Sequence, residues 1–278
     1  MAEDPKLPIG EGGEQMEERP LALAFKHELE TFKEWGHLTS EIDIRIPVRP
    51  TDGLPVELAE QVARWCALGF TVSFLKDHMG GFIEVVRANM AQSFVKKSKL
   101  KYLFMIDNDV IPRVDLPLLL ARHNKHIVGA PVPITLQDQG PALNFTIPDG
   151  KDGWRFPAFR NHEKMPSTGL IPVHHIGTGA MCIRRDVLEA FSWEDEDVPF
   201  MVSSDLRAEG LRKGNLRRGE DIEFCNQARN KGFKIYADME GLAGHRKLMT
   251  LTVPDDMLDP TMDPAGWISN DTEYLVGG

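Results

Sequence analysis

The sequence has few cysteines, three among 278 residues, and they lie far apart as Cys66, Cys182 and Cys225. An odd number at wide spacing provides neither a disulfide framework nor the paired spacing of a structural zinc site. Such cysteine usage is typical of a reducing compartment, so we expect the protein to work in the cytoplasm.

The sequence also has no long apolar run and no net positive charge. No apolar run is long enough to cross a bilayer, and the polar, acidic N-terminus does not have the pattern of a secretory signal. We therefore expect no membrane partner. The formal net charge of −10 disfavours a protein that depends on non-specific phosphate binding.

Three regions are expected along the chain. An N-terminal extension with an accessory helix is followed by a main domain and a C-terminal tail, at residues 1–40, 41–250 and 251–278. In the main domain, strand patterns alternate with helical patterns up to residue 133. This β-α-β rhythm predicts an α/β fold with a mostly parallel central sheet and helices on both faces. Residues 134–250 are less regular.

The strongest local pattern is FMIDNDVIP at residues 104–112. An apolar strand runs directly into Asp107, Asn108 and Asp109, and open α/β sheets bind ligands beyond the carboxyl ends of their strands. Two carboxylates two residues apart project to the same side of an extended chain and offer oxygen ligands to a divalent cation. The tripeptide alone is more typical of a polar turn, so its interpretation depends on the rest of the chain.

Three later segments change that interpretation: IGTGAMCIRRDVLEAF at 176–191, GEDIEFCNQARNKGFKIYAD at 219–238 and GHRK at 244–247. With the Asp-x-Asp pattern they resemble, in order and rough spacing, glycosyltransferases of the GT-A fold, notably family 2. The resemblance covers roughly residues 42–247. It implies a Rossmann-like GT-A fold, a nucleotide-diphosphate sugar as donor, with UDP-sugars favoured, and a divalent cation, Mn²⁺ or Mg²⁺.

The resemblance also implies roles for individual residues. Asp107, Asp109 and His245 are the expected metal ligands. Glu220 and Asp221 form the Glu-Asp pair at a helix start, where the helix dipole favours ionised carboxylates. The family pattern makes Asp221 the base that activates an acceptor hydroxyl, in an inverting transfer. Acidic residues at a helix start are also common caps, which is the alternative for this pair.

The donor is expected to bind between the first strand and the metal. The residues expected to line that site are Pro47, Arg49, Asp77, Arg87, Asn89, Asn108 and Gly179. Gly177, Thr178 and Gly179 resemble the small-residue stretch that lets sugar and acceptor approach the backbone. Residues 41–133 are thus the expected nucleotide-sugar-binding half, and 134–250 the acceptor-side half.

The acceptor is not identified by the sequence. Related bacteriophage enzymes glycosylate hydroxymethylated pyrimidines in DNA, and a basic stretch at 207–218 would suit a duplex backbone. A 5-hydroxymethylpyrimidine in DNA is therefore the acceptor we favour narrowly, in the host cytoplasm if the protein is phage-encoded. A small molecule or a polysaccharide is the alternative, and the acidic net charge supports it.

Two other classes of function remain open. A nucleotidyltransferase would use a similar strand-then-carboxylate layout, although PVRPTDG at 47–53 is a poor version of its Gly-rich loop. A catalytically inactive binding protein with this fold would keep the carboxylates only for stability, and it would show no effect of cations.

Overall fold

The computed structural model describes residues 20–48, 54–76, 82–136, 140–149, 153–158, 164–194, 197–202, 219–246, 250–251, 258–259 and 261–262. Arg49, Asp77 and the basic stretch 207–218 lie outside these ranges.

Six α-helices are described. They are α1 (Pro20–Trp35), α2 (Val56–Ala67), α3 (Ile83–Lys97), α4 (Leu116–Ala121), α5 (Arg185–Glu189) and α6 (Glu220–Asn230). Two 3-10 helices, Gly36–Glu41 and Met239–Gly241, join neighbouring elements. Within the described part of the chain, no helix has the length and apolar character needed to span a membrane.

The strands are longest in the first half and short in the second. The first eight are β1 (Ile42–Val48), β2 (Thr71–Lys76), β3 (Tyr102–Ile106), β4 (Val110–Ile111), β5 (Ile127–Gly129), β6 (Pro133–Leu136), β7 (Gly140–Leu143) and β8 (Phe145–Pro148). The others are β9 (Trp154–Arg155), β10 (Met165–Pro166), β11 (Leu170–Pro172), β12 (His175–Ile176), β13 (Ala180–Arg184), β14 (Ile235–Asp238), β15 (Gly244–Arg246), β16 (Thr250–Leu251) and β17 (Leu258–Asp259).

Seven strands form the central sheet in the order β11-β14-β5-β13-β3-β1-β2. Strand β1 is parallel to both β2 and β3, and β5 is parallel to β14. Strand β13 is antiparallel to both its neighbours, β3 and β5, and β11 is antiparallel to β14. The predicted α/β fold class is confirmed, with a mixed sheet around a largely parallel core.

Both faces of the sheet are covered, as predicted. Strand β3 shows this because all five of its residues are buried. Leu103 and Met105 belong to the apolar cluster that includes α3, α5 and α6, whereas Tyr102, Phe104 and Ile106 belong to the cluster that includes α2 and α4. Alternate residues of a strand face opposite sides, so a central strand is apolar throughout.

The accessory helix predicted near the N-terminus is α1. Its residues Phe32 and Trp35 are partly buried against the α2 and α4 side of the core. The Phe32 ring also meets the edge of Phe70, with ring centroids 6.5 Å apart. Helix α1 is therefore packed on the domain, where it contacts α4 and the 3-10 helix Gly36–Glu41.

A buried arginine of β1 attaches α3 to the sheet. Arg45 of β1 contacts Asp43 at 2.9 Å and donates a hydrogen bond to the backbone oxygen of Met90 in α3 at 2.6 Å. Charged side chains are tolerated in an interior when they are paired and hydrogen-bonded. This contact fixes the part of α3 that carries Arg87 toward the carboxyl end of β3.

Candidate active site

A cavity of about 230 Å³ lies at the carboxyl end of β3. One group of lining residues is ionisable and comes from five separated parts of the chain: Arg87, Asp107, His175, Glu220, Asp221 and His245. The other lining residues are mostly apolar or small: Val110, Val132, Ile134, Asn144, Phe156, Ile176, Gly177, Thr178, Gly179 and Ile222. Apolar walls with a few convergent polar groups are typical of ligand sites.

Asp221 lies in the first turn of α6 and lines this cavity. Its Oδ1 accepts a hydrogen bond from the Ile222 backbone at 2.7 Å. Burial raises the pKa of the Asp221 carboxyl, and this outweighs the opposing effects of Arg87 and of the Ile222 N–H. A carboxylate with a raised pKa is better suited to accept a proton at neutral pH.

Glycines make room for the Asp221 carboxylate. A Cβ at Gly219 would lie 2.7 Å from Oδ1, and one at Gly177 would lie 3.4 Å from Oδ2. The first distance is too short for any side chain. The glycine before α6 is therefore needed for space, because its φ of −67° is one that any residue adopts.

Arg87 joins the end of β3 to the start of α6. Its guanidinium donates to both oxygens of Asp107, at 2.7 and 2.8 Å, and forms a salt bridge with Glu220. The Arg87 side chain is 7% exposed. The geometry makes Arg87 a bridge between two predicted catalytic segments, and the planar guanidinium is well suited to bind two carboxylates at once.

Asp109 and His245 meet although they lie 136 positions apart in the chain. The imidazole Nε2 is 3.1 Å from Asp109 Oδ2, and Nδ1 is 2.8 Å from the backbone oxygen of Pro133. A carbonyl oxygen and a carboxylate both only accept, so Nδ1 donates to Pro133, and the contact at Nε2 needs either a proton on Nε2 or a cation between it and the carboxylate. Strand β15 places His245 opposite Val110 of β4 and so sets this contact.

Asp109 and His245 provide part of a binding site for a divalent cation. An imidazole fixed by a backbone carbonyl and turned toward a carboxylate has the chemistry of a metal ligand with its supporting hydrogen bond. In the described ranges no three His, Cys, Asp or Glu side chains converge closely enough to hold a metal ion. The expected third ligand, Asp107, turns its carboxylate to Arg87. The donor set therefore fits a cation held by two protein groups and completed by substrate phosphates.

Two polar residues of the cavity were not predicted. Asn144 accepts from the Val132 backbone at 2.8 Å through Oδ1, and its backbone oxygen accepts from Gly177 at 2.7 Å. The second, His175, contacts Thr146 Oγ1 at 3.0 Å and Asn226 Oδ1 at 2.9 Å. No local motif surrounds Asn144, whereas His175 lies directly before the segment 176–191 and could have been considered with it.

The small-residue stretch 177–179 lies where β12 passes into β13. The Gly179 backbone oxygen accepts a hydrogen bond from Asp107 N at 3.0 Å, which places the stretch against the Asp-x-Asp turn. A Cβ at Gly179 would already contact Val110 and Val132 at 3.4 Å. The stretch therefore forms a close-packed wall of the cavity, and its expected role in letting sugar and acceptor approach the backbone stays a prediction.

The remaining predicted donor residues are dispersed. Pro47 lies at the end of β1, paired with Leu75, and neither it nor Asn108 lines the cavity. Asn89 is exposed, whereas Arg87 on the same helix is buried. Residues two apart on a helix point to different sides, which explains the difference in burial. The assignment of both residues to the donor stays a prediction.

Comparison with known proteins gives structural matches only. The sequence matches no protein-family model and no curated protein. Among solved structures it is similar to A197 from STIV, at 16% identity and a TM-score of 0.49, covering 74% of this chain and 86% of that one. It is also similar to a glycosyltransferase involved in glycosylation of the major capsid of PBCV-1, at 13% identity and a TM-score of 0.31, covering 72% and 93%. A third similar structure is a protein assigned as a glucose-1-phosphate thymidylyltransferase of Bacillus anthracis, at 12% identity and a TM-score of 0.32, covering 75% and 81%.

Proposed function

We propose that the protein is a metal-dependent glycosyltransferase that moves a sugar from a nucleotide-diphosphate sugar to an acceptor hydroxyl. The observation that carries the proposal is the convergence of two chemical groups on one cavity. Asp221 supplies a buried carboxylate with a raised pKa, and His245, facing Asp109, supplies a cation-binding pair. Sugar transfer requires both, a base for the acceptor and positive charge for the departing diphosphate.

In the proposed reaction Asp109 and His245 would hold the cation, which when bound would neutralise negative charge on the diphosphate. The acceptor hydroxyl oxygen forms a bond to the anomeric carbon as the bond from that carbon to the phosphate oxygen breaks. The electron pair leaves with the nucleoside diphosphate, and Asp221 takes the acceptor proton. Attack from the side opposite the leaving group inverts the anomeric centre.

Arg87 has a supporting role in this scheme. It fixes Asp107 and Glu220 with respect to each other and so holds the Asp-x-Asp turn against the start of α6. Asp107 could bind the cation only after its carboxylate releases the Arg87 guanidinium. We accordingly assign Asp109 and His245 as the principal ligands and keep Asp107 as a ligand that donor binding would recruit.

For the substrates we propose a UDP-sugar as donor and a 5-hydroxymethylpyrimidine in DNA as acceptor. The support for DNA is the basic stretch 207–218 in the sequence. A small-molecule or polysaccharide acceptor is the competing choice. Transfer to hydroxymethylated DNA, compared with transfer to unmodified DNA and to free sugars, separates these alternatives.

The function is tested by thermal unfolding with a panel of nucleotide sugars and nucleoside diphosphates, each with Mn²⁺ and with a chelator. A ligand that binds only the folded state raises the unfolding temperature. We expect a Mn²⁺-dependent rise with one nucleotide and release of its nucleoside diphosphate on turnover. Release of pyrophosphate would indicate a nucleotidyltransferase instead, and no rise with any nucleotide would favour the inactive binding protein.

Asp109→Asn tests the cation pair directly. Losing the carboxylate charge beside His245 is expected to weaken Mn²⁺-dependent donor binding and turnover together, each by at least about 10-fold. Asp149→Asn is a suitable control because it removes a carboxylate charge directly after β8, where Asp149 accepts a hydrogen bond from the Gly153 backbone at 2.9 Å. Unchanged turnover in Asp109→Asn would remove Asp109 from the site.

The raised pKa of Asp221 predicts how the rate depends on pH. A general base acts in its deprotonated form, so kcat/KM should fall on the acid side, with a midpoint above the ordinary aspartate value of 3.8. Burial is the main cause of the shift. The other ionisable groups of the cavity are Arg87, Asp107, Glu220, His175 and His245. Rates measured between about pH 4 and 9 should show this acid limb in the wild type, and residual activity of Asp221→Asn should lack it.

A further inference from the structure

Thr178 has an unusual environment for a buried polar residue. It is 1% exposed, and among the described residues its hydroxyl has no hydrogen-bond partner, although the residue lines the cavity. Buried hydroxyl groups in folded proteins are nearly always hydrogen-bonded, because leaving one unpaired is costly. Thr146 provides the contrast, since its Oγ1 contacts both the backbone N and Nδ1 of His175.

The neighbours of Thr178 define where the backbone of this residue lies relative to the chemistry. On one side is Gly177, whose missing Cβ would be 3.4 Å from Asp221 Oδ2. On the other side is Gly179, whose backbone oxygen accepts from Asp107 N. Thr178 therefore lies between the proposed base and the Asp-x-Asp turn. In a displacement reaction the sugar being transferred occupies that interval, because its anomeric carbon is bonded in turn to the diphosphate and to the acceptor.

We propose that the Thr178 hydroxyl binds a hydroxyl group of the transferred sugar and thereby contributes to the choice of sugar. This inference rests on the proposed function. A sugar hydroxyl both donates and accepts hydrogen bonds, as a threonine hydroxyl does, so each satisfies the other. A site that hydrogen-bonds a substrate hydroxyl rejects an analogue lacking it, because the buried group on the protein is left unpaired.

The experiment compares Thr178→Val, which removes the hydroxyl and keeps the branched shape, with Thr178→Ser, which keeps the hydroxyl. Thr146→Val is the matched control for a hydroxyl that is already paired. Calorimetry with Mn²⁺ measures affinity for UDP, which has no sugar, and for UDP-glucose, or the nucleotide sugar that gives the largest stabilisation in the panel. Thermal unfolding without ligand is measured for all the variants.

We expect Thr178→Val to bind UDP as the wild type does and to bind the nucleotide sugar about 10-fold more weakly, as for one lost hydrogen bond. Thr178→Ser should retain most of the affinity. A deoxy-sugar analogue lacking the partner hydroxyl should bind the wild type and Thr178→Val equally. Without ligand, Thr178→Val should unfold at or above the wild-type temperature, whereas Thr146→Val should unfold below it.

Several results would overturn the inference. Equal affinity of the wild type and Thr178→Val for the nucleotide sugar would exclude the contact. Equal weakening of UDP binding, or a lower unfolding temperature like that of Thr146→Val, would show a structural role. A rise in acceptor KM alone would assign the hydroxyl to the acceptor. If the wild type binds no nucleotide sugar, the proposed function fails and this inference fails with it, whereas the other results leave that function intact.

Discussion

Asp221→Asn is expected to lower kcat for sugar transfer by about 10²- to 10⁴-fold, the usual contribution of a general base. Asparagine has nearly the same shape and can still accept the hydrogen bond from Ile222, but it cannot take the acceptor proton. Donor affinity should change little, because the cation pair is untouched. Steady-state kinetics and calorimetry with the donor separate the two effects.

The unfolding temperature of Asp221→Asn shows whether Asp221 is a base or a helix cap. Because burial raises the pKa of Asp221, the fold disfavours its charged form. Stability linked to this carboxyl is therefore lost as pH rises through the raised pKa, and a neutral asparagine avoids that loss at neutral pH. The variant should unfold at or above the wild-type temperature at neutral pH, with a difference that shrinks in acid.

The control for Asp221→Asn is Asp186→Asn, which changes an acidic residue in the first turn of another helix, α5. That carboxylate binds Arg184 at 2.6 Å, and its pKa is lowered, mainly by the hydrogen bond from Arg184. Asp186→Asn should retain activity and lose a little stability. If Asp221→Asn is fully active, Asp221 is not the base. If both variants lose activity equally, the loss comes from removing an acidic residue at the start of a helix.

Arg87→Met is expected to have the largest effect on stability. The substitution leaves two carboxylates, Asp107 and Glu220, near each other without the guanidinium that joins them. Removing one partner of a buried ion pair costs roughly 3 kcal/mol or more, because the remaining charge is not compensated. We expect the stability lost in Arg87→Met to lie near that lower value, since 26% of the Asp107 side chain is exposed to solvent. Urea unfolding at neutral pH measures the loss.

A second variant tests whether the stability lost in Arg87→Met comes from the uncompensated carboxylates. Adding Glu220→Gln to Arg87→Met should recover part of the lost stability, because one of the two uncompensated charges is gone. Arg64→Met is the surface control: its ion pair with Glu28 is 3.4 Å long, the Arg64 side chain is 46% exposed, and such pairs contribute about 1 kcal/mol or less. If Arg87→Met costs no more than Arg64→Met, the bridge is not a significant stabilising element.

The sequence was most informative about elements with a strong local pattern. The apolar run before Asp107 predicted a strand buried on both faces, and β3 is that strand. The sequence did not reveal the reversed direction of β13, because apolar composition is the same for either direction and the connections decide the direction. It also gave no sign of the Asn144 contacts, which depend on segments that meet only in the folded chain.

The candidate site was less predictable from the sequence than the strands were. Asp109 and His245 were grouped by the order of motifs in a resembling family, and the structure brings them to 3.1 Å. Their role as metal ligands stays a prediction. Arg87 was expected to face a nucleotide, whereas its guanidinium is held by two carboxylates. A sequence shows the charge of an arginine but not the partners that bind it across 133 positions, which is the separation of Arg87 from Glu220.

The position of β13 has a consequence for how the chain folds. Strands β3 and β5 follow each other closely in sequence but are not neighbours, because β13 is inserted between them. A chain ending near residue 133 would leave one edge of β3 unpaired and would leave β5 without either of its neighbours, β13 and β14, and such unpaired edges promote aggregation. Pairing across this sequence distance is slow to form. During synthesis the proposed donor half cannot complete its sheet until β13 has emerged, so the two halves fold cooperatively and a truncated donor half is expected to aggregate.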